Sequence, residues 1–123
     1  MDVNALLDTC KLNEFVAIDL ETTGLSAKEE YIIEVSALKF VNGKENETFS
    51  FLLNPGKPIP SFIEDLTGIS NSMVKGKPSF VDILDDLVEF IGQSAIVGHN
   101  VKFDIDFIKH HSNNKIDLSK TNL

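Results

Sequence analysis

The stretch EFVAIDLETTGL, Glu14 to Leu25, decides the fold. Its first half is short, rich in β-branched and aromatic residues, and apolar at successive positions. That pattern predicts a central strand buried on both faces, ending at Thr22-Thr23-Gly24. Asp19 and Glu21 stand two apart on this strand, so their side chains leave the same face, behind the apolar Phe15 and Ala17. Like charges beside a core are unfavourable unless they are solvated at the strand end, share a proton or bind a cation. A divalent metal is the simplest remedy.

Outward from that strand, Tyr31 to Val41 reads as a second strand that meets Asn42-Gly43, a dipeptide favoured in tight hairpins, and Glu47 to Asn54 as the returning strand. Pro55, Gly56, Pro58 and Pro60 make a stiff connection. IEDLTGI then reads as a short helical turn running into a loop, closed by Gly76 and Pro78. Ser79 with Asp82 forms a capping signature for a helix over 80–91, whose Phe80, Ile83, Leu84, Leu87, Val88 and Ile91 recur at helical spacing before Gly92. Ala95 to Val97 is a short strand, Gly98-His99-Asn100 a turn, and Val101 to about His111 a second helix. The expected fold class is α/β with a mixed sheet: three antiparallel strands, a helix, a strand returning parallel to the first, and a helix.

Spacing of acids is not evidence by itself. The sequence holds three acid-x-acid pairs, about what its 19 acidic residues predict by chance. Glu45-x-Glu47 follows a turn and reads as solvated decoration. Asp104-x-Asp106 lies on a helix, where the two side chains diverge by about 200°. Asp104 neighbours the face of Phe103 and Phe107 and is the better candidate to reach strand 1, while Asp106 faces solvent. Asp19 and Glu21 alone end a buried strand, where ligand and catalytic groups gather in open α/β sheets. A functional pair and a solvated strand end are both open on these grounds. His99 alone reads as a satisfied loop histidine, and His110 and His111 as surface residues.

The 123 residues carry a formal charge of −8 with 42% hydrophobic content, which suits one small core. Nothing in the sequence is long and apolar enough to span a membrane, and the N-terminus lacks the pattern of a secretory signal, so a cytoplasmic location is expected. Cys10, the single cysteine, excludes an internal disulfide and a multi-cysteine zinc site. The acidic balance gives no broad basic footprint for duplex DNA or an anionic membrane. One domain over 1–123 is expected, with a lead-in over 1–13 and an unassigned tail over 112–123.

FVAIDLETTGL resembles the first motif of the DEDD superfamily of exonucleases acting from the 3′ end, GHNVKFD resembles the second, and LTGIS the loop between them. The match runs through about residues 15–108 in the family's order and is nearest the epsilon-type proofreading branch; RNase T and oligoribonuclease are also similar. The resemblance implies an RNase H-like mixed sheet and hydrolysis of phosphodiester bonds with two divalent ions, Mg²⁺ or Mn²⁺, about 3.5–4 Å apart. It implies that Asp19, Glu21 and Asp104 are catalytic metal ligands, with Asp19 bridging both ions. Three carboxylates loaded with two dications make a net positive pocket, which reconciles an acidic chain with an anionic substrate.

By the same resemblance Thr22, Thr23 and Gly24 shape the turn that receives the terminal nucleotide of a single-stranded DNA 3′ end, and Leu25 wedges against the last base. Thr67 and Gly68 line the same pocket, and His99, Asn100 and Phe103 support it. Leu25 and Thr67 also have an ordinary reading as turn or core residues. RNA remains open as substrate, since no motif exposes a contact to the 2′ position. A polymerase or other replication subunit is the expected partner.

The family also has a third motif, a histidine or tyrosine followed five or four residues on by aspartate. After His110, His111 and Tyr31 those positions hold Lys115, Ile116 and Val35, and Asp117 lies too near Asp104. The chain is therefore expected to be an N-terminal, C-terminally incomplete portion of an exonuclease domain. A general base contributes about 10²- to 10⁴-fold, so weak or absent activity is expected of this piece alone, with a catalytically silent module that holds nucleic-acid ends as the alternative. Exposed apolar sheet surface on the incomplete side invites self-association.

Overall fold

Strand β1, Glu14–Thr22, is the spine of the molecule. The computed structural model describes residues 13–112. β1 pairs antiparallel with β2, Ile32–Val41, which pairs antiparallel with β3, Lys44–Leu52. On its other side β1 pairs in parallel with β4, Ala95–Val97, so the sheet order is β3-β2-β1-β4. This is the RNase H-like mixed sheet expected from the sequence. Among the described residues the helices are α1, Ser61–Thr67; α2, Asn71–Val74; α3, Phe80–Ile91; and α4, Val101–His111.

The hairpin turns at Asn42 (φ 52°) and Gly43 (φ 80°). Two successive left-handed residues make the turn whose twist matches paired strands, which is why Asn-Gly stands there. That turn sets the register from Val41 opposite Lys44, and it draws Lys44, Glu45 and Asn46 into β3 although their side chains are poor strand formers. β3 therefore starts three residues before the expected Glu47 and stops at Leu52 rather than Asn54.

β1 is internal, as expected, but it is buried on one face only. Val16, Ile18 and Leu20 pack under α3 and α4 with Val35, Leu87, Ile96, Phe107 and Ile108. Phe15 and Ala17 are half-buried on the opposite face, where Phe15 stacks on Phe40 with ring centroids 4.9 Å apart.

α3 has the predicted bounds, and both halves of its capping box form: Asp82 N–H donates to the Ser79 hydroxyl, and Ser79 N–H donates to the Asp82 carboxylate. The segment after IEDLTGI is not the expected plain loop. Gly68, at φ 77°, ends α1, and Ser70 then caps the four-residue α2. Ile59, Ile63, Ile69 and Val74 from this segment pack on Ile33, with Leu52 against them, as a second small core.

Most of the expected lead-in and tail, including Cys10 and Asp117, lies outside the described residues. Ser112, expected to open the tail, belongs instead to the end of α4: it is buried and its N–H donates to the Ile108 carbonyl. No helix of the described residues is long and apolar enough to cross a membrane.

Candidate active site

The site begins where β4 ends. β4 pairs with β1 only from Phe15 to Ala17, whereas β1 runs on to Thr22, so the β4-facing edge of β1 is bare beyond that point. Gly98 follows β4 there and crosses so close that a Cβ on it would stand 3.0 Å from the Ile18 carbonyl oxygen and 3.4 Å from Asp104 Oδ2. Asp104, in the first turn of α4, fills the gap: the Leu20 backbone N–H donates to its carboxylate. A side chain thus replaces the missing strand partner, as a buried backbone N–H requires.

Leu20 lies between Asp19 and Glu21, so this bond sets the Asp104 carboxylate beside both. Asp104 is 4% exposed. Burial pushes it up to about 7, the negative charge of Asp19 adds to that, the Leu20 N–H opposes it, and Glu21 adds a smaller push. Glu21 is raised as well, first by burial, then by Asp19 and by Glu34, its cross-strand partner on β2. Asp19 is exposed, opposite Ser36, and with Gly98 and His99 it lines a shallow pocket of about 230 Å³. Asp106 is solvent-facing as expected, paired to Lys102 at 2.9 Å.

Three mutually repelling carboxylates suit a cation, and their hard oxygens suit Mg²⁺ or Mn²⁺ rather than a soft metal. Among the described residues, however, no three His, Cys, Asp or Glu side chains are gathered tightly enough to hold one ion by themselves. The donor set fits an ion held by one or two carboxylates and completed by water and phosphate oxygens, the habit of Mg²⁺. It does not fit a closed structural site.

The other expected site residues fall into two groups. Thr22 and Thr23 are buried and shape the turn: the Thr22 hydroxyl donates to the Gly24 carbonyl at 2.6 Å, and Thr23 Oγ1 accepts from Tyr31 N–H at 2.9 Å. Leu25 follows on that turn, 89% exposed. His99 and Asn100 are exposed just before α4, while Phe103 is half-buried against Phe107. Thr67 and Gly68 end α1, and their bonds are local: the Thr67 hydroxyl donates to the Ile63 carbonyl and accepts from Ile69 N–H. Their segment packs on Leu52, which stands opposite Glu34, itself opposite Glu21, so one row across the sheet links it to the carboxylates.

Three residues were not anticipated. Glu34 was legible as the lone acid in the strand run Ile32–Leu38, and Gly98 as a glycine between a strand and a helix. His111, expected at the surface, is half-buried: its Nε2 lies 2.8 Å from the Glu30 carbonyl, and its ring packs on Tyr31 and Phe107. Burial lowers its pKa, against the opposing bonds to the Glu30 and Ala27 backbone. It therefore clasps the end of the turn that carries Leu25. His99 also stands five residues before Asp104, a numerical match to the third-motif spacing, but both residues lie within the second motif.

Residues 16–122 match the family described as Exonuclease (RNase_T). The chain is 41% identical over 98 residues to DNA polymerase III subunit epsilon of Aquifex aeolicus, covering 80% of this chain and 48% of that protein. It is 48% identical over 96 residues to a PolC-type DNA polymerase III of Caldanaerobacter subterraneus, covering 78% of this chain and 7% of the polymerase. It is also 43% identical to the 3′-5′ exonuclease DinG of Bacillus subtilis over 78% of this chain and 10% of that protein. Among solved structures, exonuclease X in complex with 5′ overhanging duplex DNA superposes with a TM-score of 0.66 at 29% identity, covering 76% of this chain and 53% of that one. Exonuclease I, at 18% identity and TM-score 0.73 over 87% of this chain and 26% of that one, shares the fold. The chain spans about half of the epsilon relative and a tenth or less of the polymerase and DinG relatives. Exonucleases of this family generally use divalent metal ions. With the match running through nearly all of the sequence, this chain belongs to the Exonuclease family.

Proposed function

We propose that this chain supplies the carboxylate end of a 3′-5′ exonuclease site that acts on the 3′ terminus of single-stranded DNA in proofreading or repair. The observation that carries the reading is the convergence of Asp104 on Leu20 between Asp19 and Glu21. Asp19, Glu21 and Asp104 would hold two divalent ions, Mg²⁺ or Mn²⁺. When bound, the ions would activate water and neutralise the scissile phosphate.

The residues of the chain have their own tasks. Asp104, about half protonated near pH 7 when no cation is close, becomes a full anion as positive charge arrives, so the site gathers part of its charge only when loaded. The Thr22–Leu25 turn, held by Tyr31 and His111, presents Leu25 to an unstacked terminal base. His99 and Asn100 border the approach to Asp19, and Phe103 steadies α4. Thr67 and Gly68 close the far end of the carboxylate row, where a second nucleotide would lie. A polymerase or another replication subunit is the fitting partner, since relatives of this chain are polymerase III proteins.

The test is nucleotide release from a 5′-labelled single-stranded oligonucleotide in Mn²⁺, with Asp19→Ala alongside. Slow stepwise loss from the 3′ end, abolished by Asp19→Ala, is expected, its rate held down by the missing general base. A second reading, a module that binds nucleic-acid ends without cutting them, is favoured by the open carboxylate set. It predicts Asp19-dependent Mn²⁺ and oligonucleotide binding with no cleavage. Mn²⁺ affinity unchanged in Asp19→Ala would overturn both.

A further inference from the structure

We propose that the groove between the outer edge of β3 and α3 docks an extended, basic and apolar segment of a partner protein by strand addition. This surface lies at the opposite edge of the sheet from β4 and is independent of the carboxylate site.

The groove encloses about 620 Å³. Its floor is aromatic: Phe49 is buried, Phe51 is 38% exposed, and the Phe49 ring lies 4.9 Å from Phe51 and 5.4 Å from Phe90. The rim is acidic, with Glu47, Asp86 and Glu89 all exposed. Among the described residues the ion pair is Lys102–Asp106, far from this rim, so these three carboxylates are not neutralised by one. Lys39, the single cation of the groove, stands with Nζ 5.2 Å from the Phe90 ring centre.

The strand edge itself decides that the occupant is extended. Exposed edges in soluble proteins are blunted by lysine, proline, bulges or a cover. Here Thr48 to Leu52 are five uncharged residues without proline, and the β2/β3 bulge falls at Lys39/Phe40, near the hairpin end. Every second residue of such an edge directs its N–H and C=O outward, and a peptide pairing there alternates its side chains between the two faces. Glu47, Phe49 and Phe51 alternate along β3 and so share the face that α3 covers; on that face the peptide's apolar side chains would meet the phenylalanines and its basic ones the rim, while every second side chain points to the other face. A second copy of this chain fits poorly, because a net charge of −8 repels itself and its own Thr48–Leu52 edge offers no cation.

The experiment is fluorescence anisotropy of a labelled nine-residue peptide with valine and lysine taking turns at the odd positions and threonine at the even ones, so that both kinds of side chain face the groove, titrated with the full chain. Binding is expected, weakened about tenfold or more by Phe51→Glu, by Asp86→Lys with Glu89→Lys, and by a proline at the centre of the peptide. Glu64→Lys with Asp65→Lys on α1, which reverses the same amount of charge away from the groove, is expected to change affinity less than about twofold. Equal loss from both charge reversals, or indifference to the proline, would overturn the proposal as unspecific attraction. A dimer abolished by Phe51→Glu would assign the groove to a second copy, and binding that needs removal of residues 113–123 would assign it to the chain's own tail. Either result overturns the partner segment. The paired rim variant keeps the test decisive if Phe51→Glu fails to fold.

Discussion

The Leu20 backbone N–H donates to the carboxylate of Asp104, so the first turn of α4 is bonded to β1 between Asp19 and Glu21. One bond thereby joins the two sequence motifs, which are more than eighty residues apart in the chain.

The first prediction concerns pH. In the unfolded chain the Asp104 carboxyl titrates near 3.8, while in the fold it titrates near 7. Between those values the folded state keeps a proton that the unfolded chain has lost, so on this group's account stability is greatest below pH 4, declines as pH rises and is lowest above 7. Glu21 acts in the same direction. His111, lowered by burial, has the opposite sign: it contributes stability above pH 6.5 that is lost on acidification. Asp104→Asn should flatten the decline and raise Tm at pH 8, where about 1 kcal/mol corresponds to about 4 °C in a domain this size. Thermal melts from pH 4 to 8 measure it; parallel profiles for the two proteins would contradict the assignment.

Divalent ions should reverse that penalty. At pH 8, Mn²⁺ or Mg²⁺ is expected to raise Tm in the wild type by mass action and to have little effect on Asp19→Ala or Asp104→Asn. Calorimetry with and without chelator reads the difference.

Gly98→Ala would put a methyl group against the Ile18 carbonyl and Asp104 Oδ2. Since neither backbone nor a bonded carboxylate yields easily, a loss of about 1–3 kcal/mol is expected, together with weaker Mn²⁺ binding. Denaturant melts with a parallel Mn²⁺ titration would show both; a neutral variant would mean that the β4–α4 turn relaxes freely.

Leu25→Ala should leave stability unchanged, since the side chain is almost wholly exposed. On the proposed function, its effect falls on the substrate. Burying a leucine is worth about 1.5–3 kcal/mol, so a fall of roughly tenfold or more in affinity for a single-stranded oligonucleotide is expected by anisotropy.

His111→Ala should free the 24–30 turn by removing the bond to the Glu30 carbonyl. Amide hydrogen exchange over that turn is expected to quicken while exchange in β2 stays slow. Unchanged exchange in the turn would show that Thr23 and Tyr31 hold it without the histidine.

Much of the architecture was legible because local signals agreed with it. Asn42-Gly43, the Ser79/Asp82 cap and the helical spacing from Phe80 to Ile91 each name one conformation, and the tertiary structure adopts it. What the pattern misread depended on distant contacts. β1 reads as buried on both faces because Phe15 and Ala17 are apolar, yet nothing among the described residues covers that face as α3 and α4 cover the other. β3 was shortened in the reading because Lys44 to Asn46 are polar, whereas hairpin register recruits them whatever their side chains. For the candidate site, Asp19, Glu21 and Asp104 were readable from motif and strand position. Glu34 and His111 were not, since one matters through a cross-strand neighbour and the other through a loop some eighty residues away.

The brevity of β4 has a practical consequence. Had β4 run two residues further, the Leu20 amide would be locked in a strand ladder and blind to its surroundings. As built, that amide hydrogen answers to a titrating carboxylate, so its proton and nitrogen resonances form an intrinsic gauge of the charge at the heart of the molecule. A single cross-peak would follow proton loss and, on the proposed function, ion arrival and substrate entry, with no label attached.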